Sequence, residues 1–255
     1  VACRIRGGML PDVWANGRRV SSAHTVGGRA ATVIELVEDQ KCDEQVKSAI
    51  TGFLASATWL PAMTRRIRRI ELGDERVRTW TARFDQTRKP RIRLVTLGGS
   101  SVRRALALEL SNQMRLFLCL DGVGPVRAEA GVPRLWSLAP LEEDLCVGWL
   151  MNNWSFRVDP GRGRLAGTLE QKHELFRDTG HALGAALVHL YDLATTVWTE
   201  FAESAGLIDT QGPRGSDHFL MNLFNLFSDD LGDPVARHLH GTDRGLGYLL
   251  SSRRS

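Results

Sequence analysis

Apolar and polar positions along this chain follow two periods, and the places where the period changes divide it into elements. The run ATVIELVED, from Ala31 to Asp39, alternates as a strand does, and its β-branched Val33 and Ile34 favour an extended backbone. Turns at Gly17-Arg18 and Gly27-Gly28 precede it, so residues 1–40 read as the end of a β-rich unit. From Asp43 to Ala57 the period lengthens. Val46, Ala49, Ile50, Phe53 and Leu54 fall at helical spacing, with Asp43 placed as N-cap.

Alternation then returns in RRIRRIEL (65–72), RVRTWTARF (76–84), RIRLVTL (91–97) and MRLFLCLDG (114–122), a series that predicts an antiparallel meander. SVRRALALEL (101–110) fits either a strand of that meander or a helix, because Ala and Leu favour the helical state. Between Arg134 and Gly167 two apolar runs, Leu135–Leu138 and Cys146–Val158, flank an acidic turn at Glu142, Glu143 and Asp144. With Trp136, Trp149 and Trp154 inside it, this stretch reads as a buried hairpin. It ends in the turn Asp159-Pro160-Gly161, which presents Arg162 and Arg164.

The strongest helix signal follows. Thr168 and Gln171 make a capping-box pattern, and Leu169, Phe176, Leu183, Leu187, Leu190, Leu193 and Val197 recur at helical spacing. One helix is predicted to run to about Ala205, stopped by Gly206, with Gly180 and Gly184 available for a kink or close packing. A second, Ser216 to Ser228, carries Phe219, Leu220, Leu223, Phe224 and Phe227. The tail from Asp233 reads as a short helix and a final apolar turn, GLGYLL. Strands, a helix, strands and then helices define an α+β fold: an antiparallel-rich mixed sheet with packed helices and a C-terminal helical segment.

Composition changes this picture little. At 255 residues the chain holds one large domain or two ordinary ones, and 43% hydrophobic with 24% charged residues argues against a disordered chain. No apolar run approaches the roughly 18–20 residues that span a bilayer, and no secretory signal is legible, so a soluble, cytoplasmic protein is expected. The opening VACRIRGGML starts on Val with a strand already under way, which reads as a fragment. The net charge of +4 is carried by arginine; Lys41, Lys47, Lys89 and Lys172 are the lysines. That bias has a compositional explanation in an arginine-rich genome and a functional one in an anionic partner, nucleic acid or nucleotide phosphate.

Candidate chemistry thins out on inspection. Cys3, Cys42, Cys119 and Cys146 are far apart, without the spacing of a zinc site or disulfide framework. His173, His181 and His189 recur every eighth residue, so each is rotated by about 80° from the last and the three share no helix face. His238 and His240 have no carboxylate at ligand spacing. No GxSxG elbow or phosphate loop is present; Gly98-Gly99-Ser100-Ser101 and Gly245-Leu246-Gly247 are fragments of such patterns. Glu142, Glu143 and Asp144 fit a solvated turn better than a metal site. Arg66, Arg68, Arg69, Arg91 and Arg93 form either a solvated strand face or a nucleic-acid surface. Arg162 and Arg164 remain, on a Gly-rich turn suited to anion contact.

These segments, in this order, carry a resemblance. ATVIELV resembles the closing strand of a Bergerat-type ATPase domain. FLASATWLPAMTRRIRRIEL is similar to the helix and strand that follow in sacsin-like proteins, and RLWSLAPLEED to that family's Phe-Ser-Phe-Leu-Pro-Leu stretch. WSFRVDPGRGRL resembles the strand and arginine turn that come next, and the helix carrying His173 and Leu175 the long helix after it. Across residues 25–200 the resemblance implies the linking and middle region of a GHKL ATPase related to sacsin and to the ninety-kilodalton heat-shock chaperones.

It divides the chain into a C-terminal remnant of the ATPase domain (1–40), an α+β middle domain (41–205) and a helical segment (206–255). It implies ATP and Mg²⁺ as cofactors, held mainly by an upstream domain; hydrolysis would occur only with that domain, and client proteins would be partners. Arg162 would act on the γ-phosphate with Arg164 beside it, and Thr32 would lie next to the adenine pocket. Ala31 stands where the family has glycine, Gly161 and Gly163 flank Arg162 in place of bulkier neighbours, and the Mg²⁺-holding helix and DxGxG motif are not in this chain. The alternative is a non-enzymatic module that binds nucleic acid or protein through an arginine-rich sheet face or its long C-terminal helices.

Overall fold

The computed structural model describes residues 2–7, 13–15, 18–20, 24–26, 29–37, 43–64, 67, 69–72, 78–99, 101–137, 139–142, 146–159, 163–208 and 212–229. The chain divides into two compact units, Val1–Leu54 and Ala55–Ser255.

In the first unit β1 (Ala2–Gly7), β2 (Val13–Ala15), β3 (Arg18–Val20), β4 (His24–Val26) and β5 (Arg29–Val37) precede α1 (Asp43–Ala57), whose last turn belongs to the second unit. The alternating run predicted as a strand is β5. It is the middle of a three-stranded antiparallel sheet, paired with β1 from Ala2↔Val37 to Gly7↔Thr32 and with β4 from His24↔Ala31 to Val26↔Arg29. β2 and β3 form a separate hairpin.

In the second unit the end of α1 is followed by the single turn α2 (Leu60–Met63), with Pro61 near its N-terminus, where a missing N–H is no loss. Then come β6 (Arg69–Leu72), β7 (Arg78–Gln86), β8 (Ile92–Gly98), β9 (Arg103–Glu109) and β10 (Met114–Leu120), each antiparallel to the one before, as the alternation predicts. The ambiguous run 101–110 is therefore a strand. Ala105, Leu106, Ala107 and Leu108 are all fully buried because both faces of β9 are covered, and a strand buried on both sides shows no alternation.

Beyond β10 the sheet departs from the hairpin expected between Arg134 and Gly167. After β11 (Pro125–Val126) come β12 (Leu135–Ser137), β13 (Ala139–Pro140) and β14 (Leu150–Asn153). β14 pairs antiparallel with β10, but β12 pairs parallel with β14, Leu135↔Met151 and Trp136↔Asn152. A parallel pair needs a crossover rather than a tight turn. Here the chain hooks back through β13 and returns past the buried Leu141, Val147 and Trp149, so the apolar residues that suggested a hairpin arm pack as a connection instead.

Register separates two cores. On one face Ile92, Leu94, Leu106, Leu108, Leu116 and Leu118 meet α3 (Leu169–Thr196), α4 (Trp198–Ala205) and α5 (Gly212–Asp229). On the other, Val95, Leu97, Ala105, Ala107, Phe117 and Leu150 pack on Trp59, Met63 and Trp136, with Trp59 edge-on to Phe117 at 6.0 Å. The end of α2 is pinned to this face: the Met63 carbonyl accepts from Asn152 Nδ2 at 2.6 Å and from Trp154 Nε1 at 3.0 Å.

The capping box is formed as predicted, Gln171 N donating to Thr168 Oγ1 at 3.3 Å and Thr168 N to Gln171 Oε1 at 3.0 Å. The single helix predicted to Ala205 breaks at Val197 (φ −136°, ψ 38°) into α3 and α4. Three β-branched residues in a row lie there, and Thr195 and Thr196 donate their hydroxyls back to the Tyr191 and Asp192 carbonyls. Ser216 on α5 donates to the Ala194 carbonyl at 2.6 Å, offering it a partner outside its own helix. The aromatic rings of Trp198, Phe201 and Phe219 fill the bend. The α+β class and the antiparallel-rich mixed sheet with packed helices stand as predicted; the tail from Asp233 lies outside the described residues.

Candidate functional site: the arginine loop

The loop that follows β14 is held by hydrogen bonds from its own residues and by two buried side chains. Asn153 Oδ1 accepts from Ser155 N at 2.9 Å and Ser155 Oγ at 2.7 Å, turning the chain out of the sheet. Phe156 and Leu165, both buried, anchor the two sides of the loop in the helix-facing core. A bridge between Val158 and Leu165 closes its base, with Asp159 N donating to Arg164 O at 2.9 Å and Ala166 N to Arg157 O at 2.8 Å.

Across the loop Asp159 Oδ1 accepts from Gly163 N at 2.9 Å and Arg164 N at 3.3 Å, an Asx-type arrangement that supplies backbone groups with partners a tight turn cannot. Glu142 N donates to Gly163 O at 2.6 Å, tying the loop to the chain after β13. A Cβ on Gly163 would lie 3.0 Å from Glu142 Oε2, so glycine lets that carboxylate close on the backbone. Arg157 and Arg164 are exposed beside it. The described part of the loop thus presents the Arg164 cation from a backbone held by hydrogen bonds. Arg162 lies outside the described residues, as do Pro160 and Gly161.

Thr32 sits in β5 opposite Gly7, in the first unit, while Arg164 belongs to the second. The predicted arginine face is not assembled as a single surface. Arg69 on β6 pairs with Thr81, and following the register through Gly98 puts Arg69 and Arg93 on opposite faces of the sheet. Arg93 is ion-paired with Glu109 at 2.9 Å, and Glu109 also holds Arg115 at 3.1 Å. The Arg115 guanidinium also lies over the rings of Phe84 and Trp154, 5.2 and 5.1 Å from their centroids. Arg66 and Arg68 lie outside the described residues.

Among the described residues no group of three His, Cys, Asp or Glu is placed to hold a metal ion. The partly buried Cys119, in β10, has its thiol pushed up to about 12, chiefly because burial disfavours the thiolate, with Arg134 pulling the other way. It is a poor nucleophile. No described helix is long and apolar enough to cross a membrane.

No protein-family profile, no curated protein and no solved structure matches this chain. Sequence reasoning missed a second group of arginines, Arg83, Arg88 and Arg104, which the meander brings to the lining of one cavity beside α4. Their positions in three different segments give no local signal.

Proposed function

We propose that this chain is the middle, transducing region of a sacsin-like GHKL ATPase of the chaperone or remodelling type, acting in the cytoplasm. The observation that carries the reading is the loop between Val158 and Leu165, whose base is bridged and whose Arg164 stands exposed. Arg162 is the γ-phosphate sensor, Arg164 a second phosphate contact, and Thr32 an adenine-side contact. Mg-ATP is held mainly by an upstream ATP-binding domain. In a loose phosphoryl-transfer transition state, charge spreads over the equatorial oxygens, and a guanidinium held in place stabilises it without reorganising at the moment of reaction. The Asp159 hydrogen bonds to Gly163 N and Arg164 N fix the backbone that carries Arg164, which supports a preorganised loop.

The reading is tested in the full-length protein by steady-state ATP hydrolysis. Arg162→Ala lowers kcat roughly 10³-fold, the low end for an arginine of this kind, with ATP affinity little changed. A wild-type rate in Arg162→Ala sinks that role, and an upstream reading frame without an Asn-bearing helix and DxGxG motif sinks the family. The alternative, a nucleic-acid-binding or protein-interaction module, has less to stand on, since the register separates Arg69 from Arg93. Retention of DNA or RNA in a low-salt gel shift, lost steeply as salt rises, would restore it.

A further inference from the structure

A cavity of about 480 Å³ lies between the outer part of the sheet and the α3–α4 bend, within the range of small-molecule sites. The pairings Arg83↔Thr96 and Thr96↔Arg104 place these three residues in one cross-strand row on the helix-facing side of β7, β8 and β9. All three line the cavity, and Leu94, Leu193 and Phe201 give it an apolar wall. At its edge Arg88 is paired with Glu200, Nε to Oε1 at 2.9 Å, and Arg83 with Asp85 at 3.0 Å. Arg104 Nη1 donates to the Ala205 carbonyl at 2.9 Å, at the end of α4. Among the described residues the other donors of this guanidinium have no partner.

The lining thus holds three arginines and two carboxylates, leaving one positive charge unbalanced beside an apolar wall. From this geometry we propose that the cavity binds a small amphiphilic monoanion, an alkyl or aryl carboxylate. Its head is held by Arg104 and Thr96, and its apolar body lies on Leu94, Leu193 and Phe201. A guanidinium fixed through one nitrogen keeps a fork free for a carboxylate, and that bidentate fit fixes the orientation of the ligand. A phosphate dianion would overshoot the single charge. The site is independent of the ATPase reading, since none of its residues belongs to the arginine loop.

Isothermal titration calorimetry of the full chain with octanoate, octanol and octyl phosphate tests it. Octanoate binds at one saturable site, roughly ten- to a hundredfold tighter than octanol, the contribution of hydrogen bonds to a charged group. The site is lost in Arg104→Gln and also in Ser204→Trp, which fills the cavity from an exposed position on α4. If Arg104→Gln unfolds, Ser204→Trp decides alone. No saturable octanoate binding, octanol or octyl phosphate binding as tightly as octanoate, or retained affinity in either folded variant overturns the proposal.

Discussion

Replacing Gly206 by alanine perturbs two features at once, and the structure says how to separate them. Gly206 ends α4 in the left-handed region (φ 66°, ψ 37°), with Leu207 N donating back to the Ala202 carbonyl at 2.9 Å. This is a Schellman-type ending, and it turns the chain so that Leu207 is buried. An L-residue in that conformation costs about 1 kcal/mol. The second feature is steric. A Cβ on Gly206 would fall on the Arg104 guanidinium, which has closed on the helix end to meet the Ala205 carbonyl. Arg104 must swing away, forfeiting a charge-assisted hydrogen bond worth about 1.5–3 kcal/mol and the favourable placing of a cation at a helix C-terminus.

Gly206→Ala should therefore destabilise the second unit by about 3 kcal/mol in urea unfolding followed by tryptophan fluorescence, the sum of those two effects. In an Arg104→Ala background the steric conflict is gone, and the same substitution should cost only the conformational part, about 1 kcal/mol. The difference, about 2 kcal/mol, is the coupling a double-mutant cycle reads. Equal costs in both backgrounds, within about 0.5 kcal/mol, would mean that Arg104 does not lie against Gly206, and the argument for a preset Arg104 would fall with it.

Thr168→Ala removes the acceptor for Gln171 N and should lower stability by about 1 kcal/mol, measured by the same unfolding curves. Asn152→Leu deletes a donor to the Met63 carbonyl, which keeps Trp154; a loss of about 1–2 kcal/mol is expected, and Asn152→Leu with Trp154→Phe should lose more than the two singles together, because the carbonyl is then orphaned. Iodoacetamide at neutral pH should alkylate the exposed Cys146 while sparing Cys119, read by peptide mass spectrometry. The Cys119 thiol ionises in the unfolded chain near 9.0 and in the folded one near about 12, so its contribution to stability is complete below 9 and is lost as pH rises from there towards 12. Cys119→Ala should flatten the stability profile over that window.

Much of this molecule is legible in one dimension because the signals are local. The helical spacing after Asp43 places α1, Thr168 and Gln171 place the start of α3, and Gly206 places the end of α4; each acts within a turn or two of itself. The alternating runs place the meander, since neighbouring antiparallel strands need only short turns. What the sequence left open depends on partners far along the chain. Nothing within SVRRALALEL says that both of its faces are covered, which is what makes it a strand. The parallel pairing of β12 with β14 depends on a crossover through Leu141 and Trp149. The break at Val197 is completed by Ser216, and the cleft joins Arg83 and Arg104 to Phe201 across two strands and a helix. Periodicity and capping act over one turn of helix or one pleat of strand, so the sequence determined the elements and their ends. Register and long-range packing, whose terms only the closed chain supplies, decided which arginines share a face.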